Sequence, residues 1–231
     1  MIDAVLLDAG GIFVLPDHER ITAALARAGA RVDPAHLDRA HYEGVRVLAE
    51  FTEGDREVWR AYNRAYARAC AVPDDVLDDA VEHLLNEFAT GAVWSRVVPG
   101  SVDALRELAA LGVRLAIVSN ADGKAAERLL EHRICQVGRG PGVEVDTVVD
   151  SELVGVAKPD PRIFEIALDR LGVPAGRALH VGDTPAADVD GARAAGVRPV
   201  LLDPHDLHPH LDVERVPVLA DVVAIVAAAN A

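Results

Sequence analysis

Apolar positions along this chain follow two rhythms, and the change between them divides it. Ala4-Val5-Leu6-Leu7 is apolar at both alternating positions and stops at Asp8, Ala9 and the pair Gly10-Gly11. Such a run suits a strand buried in the middle of a parallel sheet. Asp8 then stands at its carboxyl end, where open α/β sheets place ligands. From Asp17 to about Trp94 the spacing becomes three and four. It predicts a helix from Asp17 closed by Gly29, another after Pro34, a third from Asp55 to Cys70 and a fourth from Pro73 to about Phe88. No strand signal interrupts these four, so residues 16–96 read as an inserted all-helical cap domain, with boundaries near Leu15 and Val97.

After Pro99 strands and helices alternate. Strands are predicted at 113–118, 147–149, 178–181 and 199–202. Helices are predicted at 101–111, 122–132, 162–171, 187–195 and 221–229, and the glycine-rich stretch from Gln136 to Asp146 reads as a surface loop. Together with the first strand this predicts an α/β fold. It is a Rossmann-like parallel sheet with helices on both faces, formed by residues 1–15 and 97–231.

Composition narrows the class. With 231 residues, 51% of them hydrophobic, the chain can bury a core without staples. Its two cysteines, Cys70 and Cys135, form no CxxC and read as ordinary buried thiols of a reducing compartment. No stretch has the apolar length of a membrane helix, and the expectation is a cytoplasmic protein. The net charge of −14 argues against nucleic-acid and anionic-membrane partners. A small anionic substrate remains open if a metal ion or a local cation neutralises it. The only lysines are Lys124 and Lys158.

Three predicted strands end in polar residues that would meet at one rim: Asp8, Ser119-Asn120 and Asp183-Thr184, with Lys158 in a nearby KPDP turn. Asp8 and Asp183 are hard-oxygen ligands of the kind Mg²⁺ prefers, alongside waters and a substrate phosphate. Ser119 offers a hydroxyl and Asn120 a backbone donor for phosphoryl oxygens. Lys158 offers a compact cation for transition-state charge. Asp8 is placed to attack phosphorus. Taken singly, Ser119-Asn120 also reads as a helix N-cap and Asp183 as a turn residue. In the helical block, Trp59, Tyr62 and Tyr66 lie at spacings of three and four, with His41, Tyr42 and Arg46 on the preceding helix. They read chiefly as a packed aromatic stripe, with one or two left to face a substrate.

The segments VLLDAGGIF, LAIVSN, GVAKPDPRIFEIAL and HVGDTPAADVDGARAAGV, with a helical insertion between the first two, resemble the haloacid dehalogenase superfamily, C1-cap subgroup, over residues 4 to about 203. The resemblance implies a hydrolase, with a phosphatase foremost. Asp8 would be the nucleophile forming an aspartyl-phosphate, Ser119 the phosphate-binding hydroxyl and Lys158 the charge-neutralising lysine. Gly11 and Asn120 would contact the substrate, a small phosphorylated metabolite. Mg²⁺ would be held by Asp8, the carbonyl of Gly10 and Asp183, with Asp188 behind them or acting through water. The chain departs from the family pattern at Gly10, where phosphatases carry a second aspartate that transfers the proton. Asp17 or His18 is the candidate substitute. That departure keeps two alternatives open: a catalytically weak or inactive ligand-binding relative, and a 2-haloacid dehalogenase. A Schiff-base phosphonatase needs a cap lysine, and residues 17–94 contain none.

Overall fold

The computed structural model describes residues 1–48 and 56–231. The chain divides into two compact units, Met1–Phe13 with Val97–Ala231, and Val14–Arg96. It opens on β1 (Ala4–Leu7), every residue of which is buried.

The second unit follows. It runs through β2 (Val14–Pro16), α1 (His18–Arg27), α2 (Leu37–Leu48), α3 (Arg56–Ala69), α4 (Leu77–Phe88) and β3 (Trp94–Val97). The expected start of α3 at Asp55 lies outside the described residues. Asp17 caps α1 by accepting from the Arg20 amide at 2.9 Å, and Gly29 (φ +81°) supplies the left-handed turn that ends it. The helices bury one face each in a shared core that includes Ile21, Leu25, Leu37, Tyr62, Tyr66 and Leu84. Gly44 on α2 lets α3 come close, because a β-carbon there would stand 2.6 Å from Cε2 of Tyr62. The unit is not purely helical as expected: β2 and β3, at its two ends, pair as a small sheet. Each is too short to give a periodicity signal.

The remaining elements are α5 (Ser101–Ala110), β4 (Arg114–Ser119), α6 (Ala125–Glu131), β5 (Cys135–Val137), β6 (Val143–Val145), β7 (Thr147–Asp150), α7 (Ser151–Val154), α8 (Pro161–Leu171), β8 (Ala178–Gly182), α9 (Gly191–Ala194), β9 (Arg198–Leu202), β10 (Glu214–Val216) and α10 (Leu219–Asn230). Six strands form one sheet in the order β10-β9-β8-β1-β4-β7. The pairings of β1 with β4 and β8, β4 with β7, and β9 with β8 and β10 are parallel. On one face Ala4, Leu6, Ala116, Val118 and Val149 pack with Ile163, Phe164 and Ala167 of α8. The pleat turns Val5 and Leu7 to the opposite face, where burial is again complete.

Three local expectations are corrected. The stretch from Gln136 to Asp146 carries β5 and β6, a parallel pair. Its turn is held by the Gln136 side chain, whose Oε1 accepts from the Gly142 amide at 2.8 Å while Nε2 donates to the Gly138 carbonyl at 3.1 Å. β10 adds a sixth strand from a segment with no apolar run. The helix expected at 187–195 begins instead as a π-helical turn, Pro185–Asp190, and becomes α-helical only at Gly191. Among the described residues no helix is long and apolar enough to cross a membrane.

Candidate active site

Chain order reverses about β1: β4 and β7 are added on one side, β8 and β9 on the other. Ligands of open α/β sheets bind in the crevice at such a reversal, outside the carboxyl ends of the strands. Asp8 and Asp183 follow the two strands that flank it. Register aligns Leu7 with both Val181 and Ile117. The Asp8 amide donates to the Val181 carbonyl at 2.9 Å, which keeps Asp8 in line with the sheet. Its Oδ1 accepts from the Ala9 amide at 2.7 Å. The chain then turns back through Gly11 (φ +67°), and the Phe13 amide closes the turn on the Ala9 carbonyl at 2.9 Å.

The π-helical turn after β8 is what brings Asp188 over the strand end. Its amide donates to the Thr184 carbonyl at 2.8 Å, and its Oδ2 accepts from the Thr184 amide at 2.9 Å. Gly182 makes room: a β-carbon there would lie 2.0 Å from Cγ of Asp188. An insertion of this kind into a helix start is rare and frequent at functional sites.

Lys158 enters from the loop before α8 and is 1% exposed. Its Nζ lies 3.0 Å from Oδ2 of Asp8 and 2.7 Å from Oδ1 of Asp188. Asn120 fixes the main chain beneath it, donating from Nδ2 to the Lys158 carbonyl at 3.0 Å and accepting the Lys158 amide on Oδ1 at 2.8 Å. The Asn120 side chain is therefore engaged by protein. Ser119 is buried at the end of β4, in register with Asp150 of β7. It caps no helix. Asp150 does that work, accepting from the amides of Gly123, Ala125 and Glu152 at 3.0 Å each.

Sequence reasoning missed His180. It lies fully buried in β8, and its Nε2 is 2.9 Å from Oδ1 of Asp188, the same oxygen that holds Lys158. A histidine inside the run Ala178-Leu179-His180-Val181, eight residues before an aspartate, was the available signal.

Three carboxylates face one ammonium here. Burial, reinforced by the charges of Asp188 and Asp183 and opposed by Lys158, pushes the Asp8 carboxyl up to about 7. Burial acts the same way on Asp188, but Lys158 and His180 outweigh it and hold that carboxyl well below the usual range. Lys158 is likewise desolvated, yet Asp188 and Asp8 raise it above an ordinary lysine. Burial keeps His180 below the usual imidazole value despite Asp188.

A divalent cation fits this set. One carboxylate oxygen from each of Asp8, Asp183 and Asp188 lies within 4.8 Å of the others, and together the three carry more negative charge than Lys158 balances. All are hard oxygen donors, the type Mg²⁺ takes. Asp188 already accepts three hydrogen bonds, from Lys158, His180 and Thr184, which leaves about one of its roughly four lone-pair positions. Asp8 accepts from the Ala9 amide and pairs with Lys158, and Asp183 accepts from the Thr184 hydroxyl at 3.2 Å.

In the helical unit, Asp17 is occupied as the α1 cap. His18 Nε2 lies 2.7 Å from Oδ1 of Asp38, which Arg96 also holds at 2.9 and 2.8 Å. Tyr62 and Tyr66 are core residues, and His41 Nδ1 lies 2.9 Å from the Tyr62 hydroxyl. Tyr42 is buried, Trp59 is 41% exposed, and Arg46 pairs with Glu43 on its own helix.

Residues 2–196 match the family model of the haloacid dehalogenase-like hydrolases. The chain is 32% identical over 199 residues to haloacid dehalogenase-like hydrolase domain-containing protein 3 of Danio rerio, covering 81% of this chain and 78% of that one. It is 35% identical over 209 residues to a phosphoglycolate phosphatase of Rhodospirillum rubrum, covering 87% and 80%. Its fold is shared with a 2-haloacid dehalogenase of Pseudomonas syringae at a TM-score of 0.54 and 24% identity, over 99% of both chains. The matched segments hold the β1, β4 and β8 ends and the Lys158 loop, so the residues gathered here lie within the family's own core: the chain belongs to the haloacid dehalogenase-like hydrolases.

Proposed function

We propose that this hydrolase is a Mg²⁺-dependent phosphatase of small phosphorylated metabolites, with Asp8 as nucleophile. The observation that carries the reading is the buried grouping of Asp8, Lys158 and Asp188, with Asp183 completing a triad of carboxylates. The similarity to a phosphoglycolate phosphatase supports it.

In the proposed reaction a carboxylate oxygen of Asp8 attacks phosphorus and the bond from phosphorus to the leaving oxygen breaks, giving an aspartyl-phosphate and an alkoxide or aryloxide that takes its proton from water. Water then attacks that phosphorus, releasing inorganic phosphate and regenerating the Asp8 carboxylate. Lys158 holds Asp8 in place and offsets charge on the transferred group, and its compact ammonium is suited to both tasks. Ser119 through its hydroxyl, and Gly11 and Asn120 through their backbones, are the proposed contacts to the phosphoryl oxygens. Asp8, Asp183 and the Gly10 carbonyl would hold Mg²⁺, with Asp188 behind them; the ion would supply positive charge against the phosphoryl oxygens. Residues 14–96 are proposed as the cap domain. The two buried free thiols, Cys70 and Cys135, whose pKa values burial pushes up to about 12, suit a cytoplasmic location.

Gly10 favours a second reading, a phosphate-ligand binder with little turnover, because no side chain there can hand a proton to a leaving alkoxide. A screen of phosphorylated metabolites with Mg²⁺ and with excess chelator separates the two. Turnover that requires Mg²⁺ and is abolished in Asp183→Asn, with the fold retained, is the expected result. Full activity in chelator would defeat the phosphatase reading and direct attention to halide release. Tight binding without turnover would support the second reading.

A further inference from the structure

The geometry points to His180 as a positioning residue for Lys158, acting through Asp188. Asp188 Oδ1 stands between them, 2.9 Å from His180 Nε2 and 2.7 Å from Lys158 Nζ, and the same Nζ reaches Asp8 Oδ2 at 3.0 Å. The four groups form one line from the middle of β8 to the proposed nucleophile.

The direction of each bond follows from chemistry. A carboxylate ion only accepts and an ammonium only donates, so the imidazole must present an N–H from Nε2. Nδ1 makes no hydrogen bond of ordinary geometry among the described residues. The ring has little freedom to turn away. It is fully buried, in register with Leu6 of β1, and forms a T-shaped pair with Phe164 at a centroid distance of 4.9 Å and 81° between planes. Phe164 is held in turn by Gly191, where a β-carbon would come 2.9 Å from its ring. Thr184 fixes the other carboxylate oxygen of Asp188, so the plane of that carboxylate is set by His180 and Thr184 together.

Without the donor at position 180, Asp188 Oδ1 would be left with Lys158 alone and the carboxylate free to rotate about its link to Thr184. The ammonium would follow it away from Asp8. Partners of this kind, behind the residues that touch a substrate or metal, typically change activity or metal affinity 10–100-fold when removed.

The role in turnover rests on the phosphatase reading, and the test reads the two apart. The chain has only two lysines, Lys124 and Lys158, so protein labelled with ¹⁵N-lysine gives two side-chain signals. His180→Phe keeps an aromatic ring in the slot and removes the donor, while His180→Gln restores an amide donor near the position of Nε2. In His180→Phe the Lys158 signal is expected to shift or broaden while that of Lys124 stays, and kcat on p-nitrophenyl phosphate to fall tenfold or more with KM within about twofold. His180→Gln is expected to bring both back toward wild type. An unmoved Lys158 signal in a folded His180→Phe protein overturns the proposal. So does a Gln variant as impaired as Phe, which would mark a role in packing alone. If His180→Phe does not fold, His180→Asn, whose amide is too short to reach Asp188, takes its place in the same comparison. If wild type hydrolyses no phosphate ester while the Lys158 signal still responds to position 180, the phosphatase reading fails and the positioning role stands.

Discussion

At the scale of single residues, position 10 has the clearest chemical consequence. Protonation of a departing alkoxide by a placed acid typically contributes about 10²–10⁴-fold to rate. Gly10 has no such group, and the candidates Asp17 and His18 are engaged as a helix cap and as a partner of Asp38. Wild type is therefore expected to hydrolyse p-nitrophenyl phosphate, whose leaving group departs without a proton, far faster than a simple alkyl phosphate. Gly10 is not among the glycines with positive φ, so its backbone admits a side chain. Gly10→Asp is expected to narrow the gap by raising the alkyl rate. Equal rates on both substrates in wild type would show that another group supplies the proton.

At the scale of elements, the contact of α2 with α3 depends on the absence of one methyl group. Ala is the better helix former by about 1 kcal/mol, so Gly44→Ala would stabilise an isolated helix. Here its β-carbon meets the Tyr62 ring at 2.6 and 2.7 Å, and Tyr62 is fully buried with its hydroxyl on His41. Overpacking of a core typically costs about 1–3 kcal/mol, and that term should win. A lowered melting temperature for Gly44→Ala is the expected outcome, and an unchanged or raised one would mean that α2 moves away at little cost. The same logic explains the π-helical turn after β8. Gly182 leaves the space into which the Asp188 carboxylate folds, a close approach that no helical periodicity announces.

For the molecule as a whole, Asp8 links the site to stability. The folded chain holds its proton to about pH 7, whereas its ordinary carboxyl value is 3.8. Between those values folding takes up a proton, so the contribution of Asp8 is fully present below about pH 4 and is lost as pH rises to 7. Asp8→Asn has no proton to lose. In excess chelator, its melting temperature relative to wild type is expected to climb from pH 4 to pH 7 and then level off, as followed by circular dichroism. A constant difference across that range would show that Asp8 ionises in the folded chain as it does in water. A divalent cation bound to the native site alone should raise the wild-type melting temperature at neutral pH, by mass action.

The order of strands and helices could be read from the sequence because periodicity and burial are local records of one sheet: Leu6 and Val118 are apolar since both faces of their strands are covered. Asp8, Ser119, Lys158 and Asp183 could be named because each ends a strand or sits in a short turn, where a polar residue after an apolar run stands out. The pairing of β5 with β6 escaped such reading, since a glycine-rich turn stitched by Gln136 has the composition of a loop. So did the engagement of Asn120 with the Lys158 main chain, the π-helical path that carries Asp188 back over Gly182, and the placing of His180 behind it. These depend on distances between residues 6 to 38 positions apart in the chain, which are fixed only when the strands lie side by side.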